Sequence, residues 1–353
     1  MTSVASPAGQ PSGAFAPASQ AAADGLSIVV PVFNEAAGLP QLHRSLTEVA
    51  RALRRRWNLA CEIVYVDDGS RDQSLAAANA LPADELDVQV VALSRNFGKE
   101  AALLAGLDFA RRGAVLFMDA DGQHPPAMIE TLVGHWLDGG CDVVFTAKAH
   151  RANESALRRL GVKAFYALIN WGARQKIPED AGDFRLLSPR AAAALRRLPE
   201  RNRFFKGLAS WIGFRQMRVD YEPAAREHGR TTWNAATLIG LSIEGITSFS
   251  VAPLRIASLL GLVLAASALF FGAQMVVEAI FYGVSVPGYP SVVVGLMVLG
   301  GVQLVMIGVM GEYIAKILSE TKGRPVYLVA DHSVKQANPA AAAVPESTPS
   351  AAE

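Results

Sequence analysis

The chain has 353 residues, with 33 Lys and Arg against 32 Asp and Glu and a formal net charge of +1. That balance lacks the basic excess of a nucleic-acid binder, so no nucleic-acid partner is expected. A hydrophobic share of 51% and a mean hydropathy of +0.24 are high for a water-soluble chain, and the excess lies near the C-terminus.

Residues 1–24 are rich in Ala, Ser, Pro and Gly, with neither a basic start nor a long apolar run. They read as a disordered tail, not a signal peptide. Residues 336–353 repeat that composition. Between them, from residue 26 to about 219, strand-like runs alternate with helical stretches. SIVVPVF is the first strand, followed by a helix over 38–57. EIVYVDDGS is the second, with a helix from Ser74. VQVVALS is the third, with a helix over 99–111. AVLFMDAD is the fourth and CDVVFTA the fifth. Strands that are apolar throughout and separated by helices predict an α/β domain with a buried, mostly parallel sheet. The two cysteines, Cys61 and Cys141, border strand runs and read as core thiols in a reducing compartment.

Ligands of such sheets bind beyond the carboxyl ends of the strands. Polar groups gather there: Asn34 and Glu35 after the first strand, Asp67 and Asp68 after the second, Arg95 and Asn96 after the third, Asp119 and Asp121 after the fourth. As a purely structural feature, Asp67 and Asp68 would form a capped turn with Ser70 as the helix N-cap.

A second regime follows. Residues 256–277 and 289–311 carry no charge. Each run exceeds the roughly 20 residues needed to cross a ~30 Å hydrocarbon core. Arg255 precedes the first span, and Lys316, Lys322 and Arg324 follow the second, while the linker between them lacks Lys and Arg. The positive-inside rule puts the linker outside and the α/β domain and both termini in the cytoplasm. Residues 233–250 are too interrupted to span and read as an interfacial helix. Residues 150–176 mix basic and aromatic side chains, which suits an anionic lipid surface. Gly295, Gly300, Gly301 and Gly308 could support packing between copies, so a homo-oligomer is open.

Asp119 and Asp121 stand two residues apart on a chain leaving a core strand. Two such carboxylates can converge on one hard cation, Mg²⁺ or Mn²⁺, whose shell is completed by water and phosphate oxygens. Gln123 adds an amide oxygen on the same turn. The cation would cancel the carboxylates and draw in a diphosphate.

The motifs PVFNE (31–35), VDDGS (66–70), RNFGK (95–99), DADGQHPP (119–126) and GDFRLL (182–187) resemble, as an ordered set, the family-2 glycosyltransferases of GT-A fold. Within that family the chain is similar to the polyprenyl-phosphate glycosyltransferases, over about residues 26–330, and the two spans match their bacterial membrane branch. The resemblance implies a Rossmann-like catalytic domain over 25–232, an interfacial helix over 233–250, transmembrane helices over 254–282 and 289–318, and a cytoplasmic segment over 319–335. It implies a bacterial cytoplasmic membrane enzyme.

By the same resemblance, Pro31, Asn34 and Glu35 would line the nucleotide pocket, and Asp67 and Asp68 would hold the base or ribose. Lys99 would sit near the diphosphate, with Ala120 in the donor pocket. Asp119, Asp121 and Gln123 would hold the metal. Arg185 and Ser188 would meet the acceptor phosphate, and Arg226 and Arg230 would clamp either phosphate. The family more often has Ser-Lys before the aromatic residue where this chain has Thr231, Thr232 and Trp233.

The expected reaction is inverting transfer of a sugar from a nucleotide-sugar donor to polyprenyl phosphate, with membrane lipids as neighbours. UDP-glucose is the favoured donor. GDP-mannose, UDP-galactose, UDP-N-acetylglucosamine and UDP-aminoarabinose derivatives remain open. A phosphate acceptor needs no strong base, although Asp183 could serve as one. The alternatives are a different lipid acceptor, a processive synthase (disfavoured by the missing QxxRW) and a non-enzymatic nucleotide-sugar-binding scaffold.

Overall fold

The computed structural model describes residues 25–148, 166–167, 170, 182–198, 200, 205–222, 252–282 and 288–337. The expected tails apart from residues 336–337, the basic stretch at 150–176 apart from residues 166–167 and 170, the interfacial helix at 233–250, and Arg226 and Arg230 lie outside the described residues.

Strands β1 (Leu26–Val32), β2 (Cys61–Asp67), β3 (Asp87–Leu93) and β4 (Ala114–Phe117) alternate with helices α1 (Leu39–Trp57), α2 (Ser74–Ala80) and α3 (Lys99–Phe109). Helix α4 (Met128–Leu137) leads to β5 (Val143–Lys148). Then come β6 (Arg185–Leu187), α5 (Pro189–Arg196), α6 (Phe205–Trp211) and β7 (Gln216–Tyr221). Two long helices, α7 (Ala252–Tyr282) and α8 (Tyr289–Thr321), precede a last strand, β8 (Val329–Lys335).

The strands form one sheet in the order β7-β5-β6-β4-β1-β2-β3-β8. Strands β1, β2, β3 and β4 are parallel, and β5 is parallel to β7. Strand β6 runs antiparallel to both β4 and β5, and β8 runs antiparallel to β3. The central strands are apolar on both faces because both are covered. Leu26, Ile28, Val30, Ile63 and Leu116 pack against α1, α2 and α4, and Val29, Val64, Val66, Val115 and Phe117 pack against α3, α5 and α6. Helix α3 lies so close to β1 that a Cβ on Gly106 would come 2.1 Å from Val29 Cγ1, so the helix can settle there only with glycine.

The parallel sheet and its first five strands follow the sequence pattern. Strands β6, β7 and β8 were not foreseen. Strand β6 is three residues long, too short for periodicity to register. Strand β7 is an edge strand with alternating exposure, and β8 sits beyond the apolar helices. Cys61 and Cys141 are free and buried, as the sequence suggested. Burial pushes the Cys61 thiol up to about 12. Ser70 is not a helix N-cap: α2 begins at Ser74, and the Ser70 hydroxyl instead accepts from Asn34 N at 3.0 Å.

Helices α7 and α8 contain windows, Pro253–Gln274 and Val298–Thr321, long and apolar enough to cross a membrane. Their apolar side chains face outward, with Leu269 and Phe281 each 75% exposed. A Cβ on Gly261 would meet Met306, so this residue lies between the two helices, whereas Gly295, Gly300, Gly301 and Gly308 meet no atom within 4 Å. After α8 the chain returns to the sheet. Ser94 N donates to Leu328 O at 2.8 Å, Tyr327 Oη to Asp108 at 2.9 Å, and Lys335 Nζ to the carbonyls of Asn79 and Leu81.

Candidate active site

The chain reverses its order of strand addition at β1, with β2 and β3 on one side and β4 on the other. That reversal opens a crevice at the carboxyl ends, the usual ligand position in such sheets. The loops around it are tied together by side chain to backbone hydrogen bonds. Asn34, in the left-handed region at φ 57, donates its N–H to Ser70 Oγ, while its Oδ1 accepts from Arg71 N at 2.8 Å. Glu35 N donates to Ser74 Oγ at 2.8 Å, and Ala36 N to Asp72 at 3.4 Å. Pro31 sits in β1 opposite Val66, just below this stitching.

Asp67 and Asp68 do different work. Asp68 accepts from Phe97 N at 2.7 Å and Gly98 N at 2.9 Å, so its carboxylate latches the 95–99 loop. Burial pushes the Asp68 carboxyl up, and those two N–H donors oppose the shift. Asp67 accepts from Ser70 N through Oδ2, while its Oδ1 is buried with no hydrogen-bond partner among the described residues. A buried acceptor of this kind is costly unless a ligand supplies a donor. Gly69 is held at φ +66, and a Cβ there would come 2.5 Å from Arg95 C, so glycine lets the two loops touch.

At the end of β4 the DADGQH turn is fixed from beneath. Asp119 N donates to His124 Nδ1 at 3.1 Å, and His124 stacks on Phe184 with centroids 4.9 Å apart. Burial holds the imidazole below its ordinary pKa, which keeps Nδ1 free to accept. Gln123 N donates to Asp121 Oδ1 at 3.1 Å, and Gly122 takes the positive φ that the turn needs. Ala120 is buried between the two aspartates.

Strand β6 brings a second cluster to the same end of the sheet. Because β6 is antiparallel to β4, its amino end faces the site. Asp183 Oδ2 accepts from Lys99 Nζ at 2.7 Å, and Lys206 Nζ lies 3.4 Å from Asp183 Oδ1. Lys99 also reaches both oxygens of Asp119, at 2.6 and 2.8 Å. The result is a chain of alternating charge: Asp119, Lys99, Asp183, Lys206. Although burial opposes ionisation, the two ammonium groups hold the Asp183 carboxyl well below the usual carboxylate range. A carboxylate held ionised so strongly makes a weak general base. Behind it, Glu100 accepts from Phe205 N at 2.8 Å, and burial pushes its carboxyl up to about 7.

Two expectations for the acceptor side change. Ser188 lies at the other end of antiparallel β6, where Leu187 pairs with Val115 at the start of β4. Its hydroxyl donates to Asp142 at 3.0 Å and caps α5 at Ala191 N. Arg185 is only 2% exposed, donates to Gly182 O at 2.7 Å and packs 5.6 Å from the Phe205 ring. It lies behind Asp183, where it supports the cluster from within. His124, Glu100 and Lys206 were not singled out from sequence. Only His124 had a signal, as part of DADGQHPP.

Among the described residues no three His, Cys, Asp or Glu side chains converge as a ready-made metal cage. Asp119, Asp121 and Gln123 nonetheless offer hard oxygen donors on one turn. That set fits a cation that takes the rest of its shell from phosphate and water.

The Glycosyl transferase family 2 profile matches residues 27–196. Along the whole fold, the chain is 41% identical over 304 residues to the prophage bactoprenol glucosyl transferase homolog of Escherichia coli, covering 86% of this chain and 98% of that one. It is 40% identical over 310 residues to the bactoprenol glucosyl transferase of Shigella phage SfV, covering 88% and 99%. It is also 40% identical over 306 residues to an uncharacterized glycosyltransferase of Synechocystis, covering 87% and 95%. Among solved structures, glucosyl-3-phosphoglycerate synthase of Mycobacterium tuberculosis is similar at TM-score 0.44 and 20% identity, covering 68% of this chain and 84% of that chain, a likeness too distant to bear on substrate. The chain is a glycosyltransferase and belongs to family 2.

Proposed function

We propose that this enzyme transfers glucose from UDP-glucose to undecaprenyl phosphate at the cytoplasmic face of a bacterial membrane. The observation that carries this reading is the near full-length similarity to bactoprenol glucosyl transferases, which includes the two apolar helices. In the reaction, an acceptor phosphate oxygen attacks the anomeric carbon from the face opposite the leaving group. The bond from that carbon to the diphosphate breaks, and the nucleoside diphosphate leaves with the electron pair. A phosphomonoester with a second pKa near 6 is already mostly dianionic at neutral pH, so no proton has to be removed.

On this reading Asp67 Oδ1 accepts from the base or ribose, and Asp119, Asp121 and Gln123 hold Mg²⁺ or Mn²⁺. The cation would neutralise charge developing on the leaving diphosphate. On the same reading Lys99, now paired with Asp119, would also reach a donor phosphate. Arg226 and Arg230 remain proposed phosphate clamps.

The return of β8 to the sheet supports a hairpin of α7 and α8 with both ends on one face. The connection over 322–328 spans at most about 25 Å when extended. It therefore keeps the carboxyl end of β3 close to the membrane end of α8. The outward-facing glycines of α8 fit contact with another copy of the chain.

The test is transfer of label from UDP-[¹⁴C]glucose to undecaprenyl phosphate by the purified chain in detergent. Label appearing only in another lipid, or in none, overturns the reading. For topology, a cysteine replacing Ser285 should react with an impermeant reagent from outside intact cells, and one replacing Ser319 should not. The reverse pattern would put the site beyond reach of cytoplasmic donors.

A further inference from the structure

We propose that Lys206 binds the acceptor's phosphate and that Asp183 holds it in place, which makes Asp183 a positioning residue and not a base. This rests on the proposed polyprenyl-phosphate reading and assigns the acceptor half of the site. Three observations carry it.

The first is order along the crevice. The nucleotide-side groups stand at the ends of β1 and β2, the metal turn at the end of β4, and Asp183 at the amino end of β6. Asp183 divides its two oxygens, Oδ2 toward Lys99 and Oδ1 toward Lys206. Lys99 faces back to Asp119. Lys206 therefore stands one carboxylate farther from the donor diphosphate than Lys99 does.

The second is that the backbone at Lys206 is built in. Glu100, next to Lys99 on α3, accepts from Phe205 N. Phe205 is 2% exposed and meets Phe117 of β4 edge-on, with centroids 4.6 Å apart. The side chain of Lys206 is 25% exposed, so the residue is fixed at its backbone while its side chain stays within reach of solvent.

The third is charge. Asp183 is shared by two ammonium groups, with the Arg185 guanidinium buried behind it. Asp183 and Asp119, which also pairs with Lys99, offset at most two of these three cations, and Glu100 is held partly protonated near neutral pH. The β6 side thus keeps a small surplus of positive charge beside Lys206, which suits a phosphomonoester dianion. A contact between an ammonium and phosphate tolerates the variable angle of a lipid headgroup better than a bidentate fork would.

The experiment uses the full chain in detergent micelles, with Lys206→Met and Lys206→Arg as variants. Initial rates give the KM for undecaprenyl phosphate. Titration calorimetry gives the affinity for UDP with Mn²⁺ and, separately, for geranyl phosphate, a soluble phosphomonoester. Lys206→Met should raise the acceptor KM and weaken geranyl phosphate roughly tenfold to a hundredfold, the effect of losing one hydrogen bond to a charged group. UDP affinity should stay within about twofold, and Lys206→Arg should recover most of the loss. Asp183→Asn should also raise the acceptor KM, whereas loss of a base would lower kcat and flatten its pH profile at unchanged KM. An unchanged acceptor KM in Lys206→Met, or a loss confined to UDP, overturns the assignment. If the wild-type chain transfers to undecaprenyl phosphate and only the variants behave otherwise than expected, this inference fails alone. If the wild-type chain binds no phosphomonoester, the acceptor reading itself fails.

Discussion

The two halves of the crevice are built differently. On the β1–β3 side, loops are stitched by hydrogen bonds between side chains and backbone N–H groups, as with Asn34 and Arg71 or Asp68 and Gly98. On the β6 side, long charged side chains pair across the site, as with Lys99 and Asp183 or Lys206 and Asp183. Backbone hydrogen bonds fix loop shape and vary little with what is bound. Ion pairs between long side chains are set by side-chain rotamers and can exchange one partner for another when a charged ligand arrives. The first half suits a constant nucleotide, and the second suits a charged headgroup that arrives from a membrane and must leave again.

The largest expected effect lies at the seam. Asp121→Asn should lower turnover at least a thousandfold, since metal-borne charge stabilisation is worth several kcal/mol and each ~1.4 kcal/mol is tenfold in rate. EDTA should do the same to the wild-type enzyme, with activity restored by Mn²⁺ or Mg²⁺. Full turnover of Asp121→Asn in chelated buffer would remove the metal from the proposed mechanism.

Next comes the nucleotide side. Asp68→Ala leaves Phe97 N and Gly98 N without their acceptor and frees the loop that carries Lys99. UDP affinity should fall roughly tenfold to a hundredfold, since two charge-assisted hydrogen bonds hold that loop. The acceptor KM should change much less. If both change equally, the two halves are one cooperative unit.

The third effect is on stability. The raised carboxyl of Glu100 means the folded chain binds that proton more tightly than the unfolded chain does. Stability from this group is greatest below the ordinary carboxyl value of 4.5, falls as pH rises toward about 7, and is level beyond. Glu100→Gln keeps an oxygen for Phe205 N and removes the charge. Thermal unfolding should then show a gain of roughly 2–3 kcal/mol at pH 7.5 relative to wild type and little at pH 4.5. A wild-type profile already flat between those values would mean that Glu100 titrates normally.

This division also explains what the sequence made readable. The nucleotide side arises from short motifs at the ends of long apolar strands, where strand period and turn residues mark each position. PVFNE, VDDGS and DADGQH each place their polar groups within a few residues of a strand end. The β6 side depends on strand direction. GDFRLL is too short to signal a strand, and nothing local says that it runs antiparallel, so the resemblance implies an acceptor role for Ser188, which lies at the far end of β6, and for Arg185, which lies buried behind Asp183. Lys206 follows from α6 packing on Phe117 through Phe205, a contact between residues far apart in sequence. Asp68 shows a subtler limit: its position at the crevice was readable, but that its carboxylate is consumed by Phe97 N and Gly98 N was not.

The smallest effect concerns the return of the chain from the membrane. Tyr327, beyond the end of α8, donates its Oη to Asp108 of α3 in an exposed hydrogen bond, while its ring packs against the core that α3, α5 and α6 cover. Tyr327→Phe keeps the ring and removes the bond, so stability should fall by about 0.5–1 kcal/mol. The β8 ladder with β3, from Val88–Lys335 to Leu93–Val329, would remain and should keep the hairpin docked. Turnover with undecaprenyl phosphate in vesicles should then stay within about twofold of wild type. Breaking the ladder itself with Ser333→Pro should cost far more, because proline removes a donor where strands pair. A tenfold loss of turnover from Tyr327→Phe, with unfolding unchanged, would give the contact a different meaning. Asp108 and Lys99 lie on the same helix, so the membrane hairpin would then be setting the position of the ammonium between Asp119 and Asp183, and the β6 side of the site would extend through α3 to the bilayer.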